Sequence, residues 1–222
     1  MTAQGSRISR RDDVPRIVFD FGGVLFDWKP LQLVRRFLPA HATDETTARA
    51  LVASVFQGFD GDWAQFDRGV LDAADLVRRI VARTGLAAAG IARLVEGIPL
   101  TLTPKVETVD LLQRLHAAGA SLHFLSNMPA PYAEHLDRTH PELIGCFDSG
   151  LYSSRARLIK PEAAFFELAS RHFAAPPDRL VLLDDIAANV GAARALGWKA
   201  LHFSDAAGVE RALRAHGWWP PD

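Results

Sequence analysis

The sequence predicts an α/β protein in which helices cover both faces of a parallel β-sheet. From residue 103 onward, segments with helical periodicity alternate with short apolar runs, and this alternation is typical of parallel sheets. The apolar runs at residues 17–19 and 180–183 show neither a helical period nor polar alternation, so we expect strands buried on both faces. Residues 30–98 contain only helical patterns, which predicts a helical insertion after the first strand.

These patterns divide the 222 residues into three parts. Residues 1–14 are polar and lack apolar periodicity, so we expect a mobile leader there. Residues 15–29 and 99–222 form the predicted core around the sheet, and residues 30–98 form the predicted insertion. Most aromatic residues of the insertion are expected in its own core, and one or two near the sheet would shape a pocket.

Composition excludes several classes of protein. The chain is 49% hydrophobic and 23% charged, as in ordinary globular proteins. Its 25 basic and 26 acidic residues form no Lys/Arg cluster, which favours small-molecule partners over nucleic acids or membrane surfaces. No apolar run approaches the roughly 20 residues of a membrane span, and no signal peptide is visible, so we expect a cytoplasmic protein. The single cysteine, Cys146, excludes a cysteine-rich zinc site.

The second half of the chain allows its elements to be predicted in order. Thr103 is a suitable N-cap for a helix that begins at Pro104 and stops at Gly119. Pro161 is suitable as the first residue of a later helix. The remaining predicted strands are residues 121–127, 147–151, 179–185 and 199–203, and the remaining predicted helices are residues 130–138, 187–196 and 209–215.

The end of the first strand carries the first candidate for chemistry. Its apolar run stops at Asp20, which is followed by Gly22 and Gly23. Open α/β sheets bind ligands at the carboxyl ends of their strands, where the loops form a crevice. Glycine lets the backbone turn sharply and approach a ligand closely. Asp20 is therefore a candidate site residue, although a strand followed by an ordinary glycine turn gives the same pattern.

Three further groups of polar residues recur later in the alternating part of the chain. They are Ser126 with Asn127, Lys160, and Asp184 with Asp185. An anionic group such as a phosphoryl needs a nucleophile, hydroxyl or amide donors, a fixed positive charge and carboxylate ligands for Mg²⁺, and this set supplies each of them. Each residue alone also fits a helix cap or a surface lysine. Their recurrence at strand ends favours one shared site.

In order and spacing, these residues resemble the motifs of the haloacid dehalogenase superfamily. The motifs are residues 19–25 (FDFGGVL), 125–127 (LSN), 160–161 (KP) and 183–189 (LDDIAAN). The match covers nearly all of the chain after residue 15. The resemblance implies a Rossmann-like core with a helical cap between the first two motifs, where residues 30–98 lie. It also implies covalent catalysis through an aspartyl intermediate on Asp20.

The resemblance implies a role for each candidate residue. Asp20, Ser126 and Lys160 would be catalytic. Mg²⁺ would be bound by Asp20, the backbone carbonyl of Gly22 and Asp185. The implied substrate-binding residues are Gly22, Gly23, Ser126, Asn127 and Lys160, and the implied outer shell of the metal consists of Asp184 and Asn189.

One position departs from the pattern of the family's phosphatases. These enzymes usually carry a second Asp two residues after the nucleophile, as acid for the leaving group and base for the water, and here that residue is Gly22. General acid/base help is worth about 10²- to 10⁴-fold. The resemblance therefore implies a slower enzyme or one restricted to good leaving groups. The Asp-x-Gly-x-Val form is most similar to sugar-phosphate phosphatases, including glucose-1-phosphate phosphatases.

Three hypotheses about function follow. The first is a Mg²⁺-dependent phosphatase of a small phosphorylated metabolite of the sugar-phosphate type. The second is a 2-haloacid dehalogenase that uses Asp20 on carbon. Gly22 and Val24 disfavour it, because these dehalogenases usually have an aromatic residue and Thr at those positions. The third is a catalytically weak member that binds a phosphorylated ligand or a protein partner. The oligomeric state stays open.

Overall fold

The structure, a computed structural model, describes residues 14–221 and confirms the α/β class. Five parallel strands form its sheet in the spatial order β3-β2-β1-β4-β5. The strands are β1 (Arg16–Phe19), β2 (Leu122–Ser126), β3 (Ser149–Tyr152), β4 (Leu180–Asp184) and β5 (Lys199–His202). Because β1 pairs with both β2 and β4, the residue after it lies at the middle of the sheet's edge. The predicted leader falls on residues outside the described range, apart from its last residue.

Helices and their connections make up residues 30–98, as the sequence predicts. The helices are α1 (Pro30–Phe37), α2 (Glu45–Phe56), α3 (Asp62–Asp67), α4 (Ala73–Thr84) and α5 (Ala88–Gly97). Local signals set their ends. The Asp44 carboxylate accepts a hydrogen bond from the Thr47 amide at the start of α2, and Gly85 ends α4 in the left-handed conformation. Leu76 and Ile80 bury the apolar face of α4.

The remaining helices cover the sheet on both faces. They are α6 (Val106–Ala117), α7 (Ala130–Thr139), α8 (Pro141–Ile144), α9 (Ser153–Ala156), α10 (Ala163–His172), α11 (Ala187–Ala195) and α12 (Ala206–Ala215). Ile17 and Phe19 belong to one cluster of buried side chains, while Val18, on the opposite face of β1, belongs to a second. In the part of the chain that the structure describes, no helix is long and apolar enough to cross a membrane.

Two predicted helix starts are wrong, and the cause in each case is a contact from distant sequence. α6 begins at Val106, because residues 103–105 are extended and pair with residues 25–27 through Asp27 N to Thr103 O (2.8 Å) and Lys105 N to Leu25 O (2.9 Å). Thr103 therefore caps no helix. This pairing also joins the two connections between the core and the helical segment.

The second wrong start concerns Pro161. α10 begins two residues later, at Ala163, because the Asn127 side chain holds both backbone polar groups of Lys160. The short strand β3 also begins later than predicted, at Ser149. Phe147 lies before it, and its ring packs against Phe19 and Phe124.

Two glycines make a matched test of this packing. We expect Gly150→Ala to lower the free energy of unfolding by about 1–3 kcal/mol, because overpacking strains a core. The new Cβ would lie 2.1 Å from the Phe124 ring, which neighbouring aromatic rings hold in place. Gly191→Ala should instead raise stability by about 0.5–1 kcal/mol, because Gly191 is exposed within α11 and nothing lies within 4 Å of the new Cβ. Urea unfolding measures both changes, and a loss of stability at both positions would contradict this account.

Candidate active site

Asp20 lies directly after the central strand β1, as the sequence predicts, and is buried with 7% of its surface exposed. Its backbone amide donates to Leu183 O on the neighbouring strand at 2.9 Å. Its Oδ1 atom accepts a hydrogen bond from Phe21 N at 2.7 Å and lies 3.0 Å from Lys160 Nζ. Within residues 14–221, Oδ2 accepts no hydrogen bond. One oxygen of this carboxylate is therefore held in place, and the other is open to a ligand.

The glycine turn after Asp20 brings the backbone against a second carboxylate. Gly23 has a φ of 77°, and a Cβ on it would lie 2.1 Å from Asp185 Oδ2. Any other residue there would be strained and would displace Asp185. Gly22 is different, since a Cβ there would meet only Trp28, at an ordinary distance of 3.6 Å.

Lys160 is fully buried, and its ammonium group lies between two carboxylates. Nζ is 2.6 Å from Asp184 Oδ2 and 3.0 Å from Asp20 Oδ1. Burial lowers the pKa of Lys160, but the charges of Asp184 and Asp20 outweigh burial and raise the pKa overall. The ammonium group therefore stays charged. Asn127 positions it, because its side chain accepts from Lys160 N at 2.8 Å and donates to Lys160 O at 2.9 Å.

The two adjacent aspartates after β4 have different surroundings. Both oxygens of Asp184 are occupied by donors: Lys160 Nζ, the Ile186 amide, and the Asn189 side chain at 3.0 and 3.1 Å. Within the described residues, the Asp185 carboxylate accepts a hydrogen bond only from its own backbone amide. Asp185 is thus the carboxylate of this pair that remains available to a ligand.

Negative charge is concentrated at this end of the sheet. One carboxylate oxygen from each of Asp20, Asp184 and Asp185 lies within 4.8 Å of the others. Burial raises the pKa of Asp20 to about 8 despite the opposing charge of Lys160, and burial together with the charge of Asp184 raises the pKa of Asp185. A divalent metal ion would favour the ionised carboxylates, because it supplies the missing positive charge. The cluster is consistent with a site for such an ion.

Ser126 ends β2 beside this cluster. The residue is completely buried, and its Oγ atom has no hydrogen-bond partner within residues 14–221. Leaving a buried hydroxyl unpaired costs about 1–3 kcal/mol. A ligand oxygen placed between the strand ends would remove this cost.

A cavity opens from Asp20 and Lys160 toward the helical segment, and most of its wall is apolar. Trp28, Phe56 and Trp63 form a continuous series of ring contacts along it, with centroids 5.4 and 4.5 Å apart. Phe59 also lines the cavity, so three aromatic residues of the helical segment, together with Trp28 just before it, reach the cavity, more than the sequence suggested. Other apolar lining residues include Leu102, Met128, Ile159 and Ile186.

Sequence analysis missed one acidic residue of this cavity, Asp67, at the end of α3. Burial, followed by the charge of Asp20, raises the pKa of Asp67 to about 8. The sequence offered one sign of its position: Asp67 directly follows Phe66, which is buried together with Trp63 in the same short helix. Helical periodicity alone does not show that such a residue faces a strand end elsewhere in the chain.

A model of the haloacid dehalogenase-like hydrolase family matches residues 14–197. The chain belongs to this family. It is therefore a hydrolase with the Rossmann-like fold that the sequence motifs implied.

Relatives from this family include both phosphatases and dehalogenases. The sesquiterpene phosphatase astK of Aspergillus oryzae is 28% identical over 200 residues, which cover 89% of this chain and 93% of the relative. An (S)-2-haloacid dehalogenase of Pseudomonas putida is 28% identical over 99 residues, which cover 45% of this chain and 43% of that protein. The phosphatase thus matches along nearly its whole length, and the dehalogenase along less than half.

A solved structure agrees with the fold. The enzyme bt-2542 of Bacteroides thetaiotaomicron, crystallised with magnesium and inorganic phosphate, superposes with a TM-score of 0.67 at 19% sequence identity. The superposition covers 86% of this chain and 95% of that one. At this identity the likeness establishes the shared fold.

The buried charges permit a stability test. We expect Lys160→Met to lower the free energy of unfolding by about 3–5 kcal/mol, because Asp20 and Asp184 would lose their buried counter-charge. Lys29→Met is a matched control, since the Lys29–Asp27 pair is exposed, with 51% of the Lys29 side chain accessible, and should contribute at most about 1 kcal/mol. Urea unfolding in the presence of a chelator measures both variants. Equal losses would show that the Lys160 ion pairs contribute no more than a surface pair.

Proposed function

We propose that this hydrolase is a Mg²⁺-dependent phosphatase of small phosphate monoesters that uses Asp20 as its nucleophile. The observation that carries the proposal is the set of groups at the strand ends. The charged Lys160 ammonium lies 3.0 Å from a carboxylate with one open oxygen, and the unpartnered Ser126 hydroxyl lies at the end of the neighbouring strand β2. A phosphoryl group requires this combination of positive charge, donors and nucleophile.

In the proposed mechanism, Oδ2 of Asp20 attacks phosphorus, because Oδ1 is already held by Phe21 N and Lys160. Lys160 and Ser126 bind the phosphoryl oxygens and offset the charge that develops on them. The P–O bond to the leaving group breaks and an aspartyl phosphate forms. Water then attacks phosphorus, which releases inorganic phosphate and restores the Asp20 carboxylate.

The donors at the strand ends fit Mg²⁺. Asp20, Asp185 and the backbone carbonyl of Gly22 would hold the ion, and Asp184 and Asn189 would lie outside them. Magnesium prefers hard oxygen ligands, and the three carboxylates supply oxygens within 4.8 Å of one another. Oδ1 of Asn189 is buried and has no hydrogen-bond partner within residues 14–221. When bound, Mg²⁺ supplies positive charge that offsets the charge of the phosphoryl oxygens.

We further propose that residues 30–98 form a cap over the core of residues 15–29 and 99–222. The pairing of residues 25–27 with residues 103–105 at the two connections supports this division. Contacts from the end of α3 to the core support it as well, since Arg68 forms an ion pair with Glu162 and the Phe66 ring packs against Tyr132.

For the substrate, the cavity wall favours an apolar organic group of prenyl type. Sugar hydroxyls need hydrogen-bond partners, and Trp28, Phe56, Phe59, Met128 and Ile186 supply an apolar wall instead. The similarity to a sesquiterpene phosphatase along 93% of that protein supports the same choice. Three expectations from the sequence stay predictions. They are a sugar-phosphate substrate, a cytoplasmic location, and the lack of nucleic-acid or membrane partners.

The dehalogenase hypothesis remains as the second candidate, because Asp20 could attack carbon in place of phosphorus. The partial match to a haloacid dehalogenase favours it. The carboxylate cluster favours the phosphatase, since displacing halide from carbon requires no metal ion.

A substrate panel tests these proposals. We expect a C15 prenyl monophosphate to be hydrolysed with a higher kcat/KM than glucose 1-phosphate or glucose 6-phosphate, and 2-chloropropionate not to be turned over. Chelator should abolish phosphate release, and added Mg²⁺ should restore it. Halide release unaffected by chelator would favour the dehalogenase. Faster turnover of the glucose phosphates would favour a substrate of the sugar-phosphate type. Binding of these esters without turnover would favour the hypothesis of a catalytically weak member of the family.

Substitution of the nucleophile is the second functional test. We expect Asp20→Asn to abolish phosphate release and to leave the fold intact, because the amide keeps the shape of the carboxylate and loses its nucleophilicity. Asp27→Asn is a matched control in the same segment, since Asp27 pairs with Lys29 away from Lys160. Circular dichroism checks folding. Turnover of Asp20→Asn within tenfold of wild type would contradict the assignment of Asp20 as the nucleophile.

A further inference from the structure

The proposed phosphatase lacks an acid at the position where its family usually carries one. Gly22 stands two residues after Asp20, and the next carboxyl group along the chain is that of Asp27, beyond the end of motif one. Asp27 pairs with Lys29 and Thr103 instead of lining the cavity. An alkoxide leaving group then has no donor from motif one, and a proton must come from another part of the cavity.

The carboxyl groups that line the cavity are those of Asp20, Asp185 and Asp67. Asp20 and Asp185 belong to the cluster that we assign to the nucleophile and the metal. Asp67 comes from α3 in the helical segment and stands outside that cluster. It is therefore the cavity carboxyl group that remains for proton transfer.

Two contacts hold the end of α3 against the core next to this carboxyl group. Ser153 Oγ donates to the backbone carbonyl of Asp67 at 2.5 Å. The next residue, Arg68, forms an ion pair with Glu162. Asp67 is thus held over the strand ends by its backbone, and its side chain is left for the cavity.

The Asp67 carboxyl group has no hydrogen bond or ion pair within residues 14–221, whereas Asp62 at the start of the same helix pairs with Arg79 and Arg83. Asp67 is half-buried, and an ionised carboxylate without a partner is costly to remove from water even in part, so the neutral acid is favoured. Burial and the charge of Asp20 raise its pKa to about 8, in the direction that a proton donor requires. Tyr132 from α7 also lines the cavity, and burial followed by the charge of Asp67 raises its pKa well above the usual value.

We infer that Asp67 replaces the missing acid of motif one and protonates the leaving oxygen of the substrate. This inference rests on the proposed phosphatase function. As Oδ2 of Asp20 bonds to phosphorus and the P–O bond to the leaving group breaks, the Asp67 carboxyl group transfers its proton to the departing oxygen, and a neutral alcohol leaves. The Asp67 carboxylate then accepts a proton from the water that attacks phosphorus. Phosphate departs, and both aspartates return to their starting states.

Leaving-group dependence tests this role in the full-length protein with Mg²⁺. The measurement is kcat/KM for aryl phosphates of graded phenol acidity, from p-nitrophenyl phosphate to phenyl phosphate, and for one primary alkyl phosphate. In the wild type we expect a shallow dependence on the acidity of the leaving group, because Asp67 supplies the proton. A steep wild-type series, with phosphorylation of Asp20 rate-limiting, would overturn the proposal without the need for any variant.

The variant series sharpens the test. Asp67→Asn should lower kcat/KM for the alkyl phosphate by about 10²- to 10⁴-fold and for p-nitrophenyl phosphate far less, because kcat/KM reports the phosphorylation step and nitrophenolate leaves without a proton. Asp62→Asn, which removes a carboxylate from the same helix, should parallel wild type. A uniform loss of kcat/KM on all esters in Asp67→Asn, or no loss on the alkyl ester, would overturn the role of Asp67.

A second-site variant tests the exchange of roles directly. A Cβ at Gly22 meets only Trp28 at 3.6 Å, so Gly22→Asp has room at its first side-chain atom. We expect the double variant with Asp67→Asn to regain at least tenfold on the alkyl phosphate, because a carboxyl group then occupies the family's usual position. If the folded double variant does not recover activity on the alkyl phosphate, a carboxyl group at residue 22 does not replace that of Asp67, and the proposal is contradicted. A wild type inactive on every phosphate ester would instead overturn the proposed function itself.

Discussion

The buried ammonium group of Lys160 is the interaction on which the site depends. It links the end of β1, through Asp20, to the end of β4, through Asp184, and all three side chains lie out of solvent. Buried charges are tolerated only when they are paired and hydrogen-bonded. Asn189 of α11 donates to Asp184, and the Asn127 side chain, just after β2, holds the backbone of Lys160. The strand ends are thereby fixed relative to one another before any ligand binds.

Adjacent carboxylates acquire different functions from this network. Asp184 is occupied by Lys160, Ile186 and Asn189, so it acts as a structural acceptor that orients the lysine. Asp185 receives no such donors from the described residues and packs against Gly23, where a Cβ would collide with it. Asp184 and Asp185 are adjacent in the sequence, but their different hydrogen-bond partners leave only Asp185 available to a ligand.

The cavity combines two kinds of surface that suit two parts of one molecule. At the strand ends, the charged groups of Asp20, Lys160 and Asp185 line the cavity. Toward α2 and α3, Trp28, Phe56 and Trp63 offer aromatic rings in edge-to-face contact. The core thus carries the groups suited to the chemistry, while the helical segment supplies the surface that would choose the rest of the substrate. Asp67 belongs to that segment, so the same helices contribute to both ends of the cavity.

The sequence by itself determined the class of the fold and the strand-end residues. Apolar runs without periodicity identify buried parallel strands, and the carboxyl ends of such strands meet at one edge, so Asp20, Ser126 and Asp184 could be grouped before their distances were known. Local signals failed at Thr103 and Pro161, because pairing with residues 25–27 and the Asn127 side chain override them. Only the tertiary structure brought Asp67 to the cavity and freed Asp185 from competing donors. These features depend on contacts between residues far apart in the chain, and no local pattern of polarity or propensity encodes such contacts.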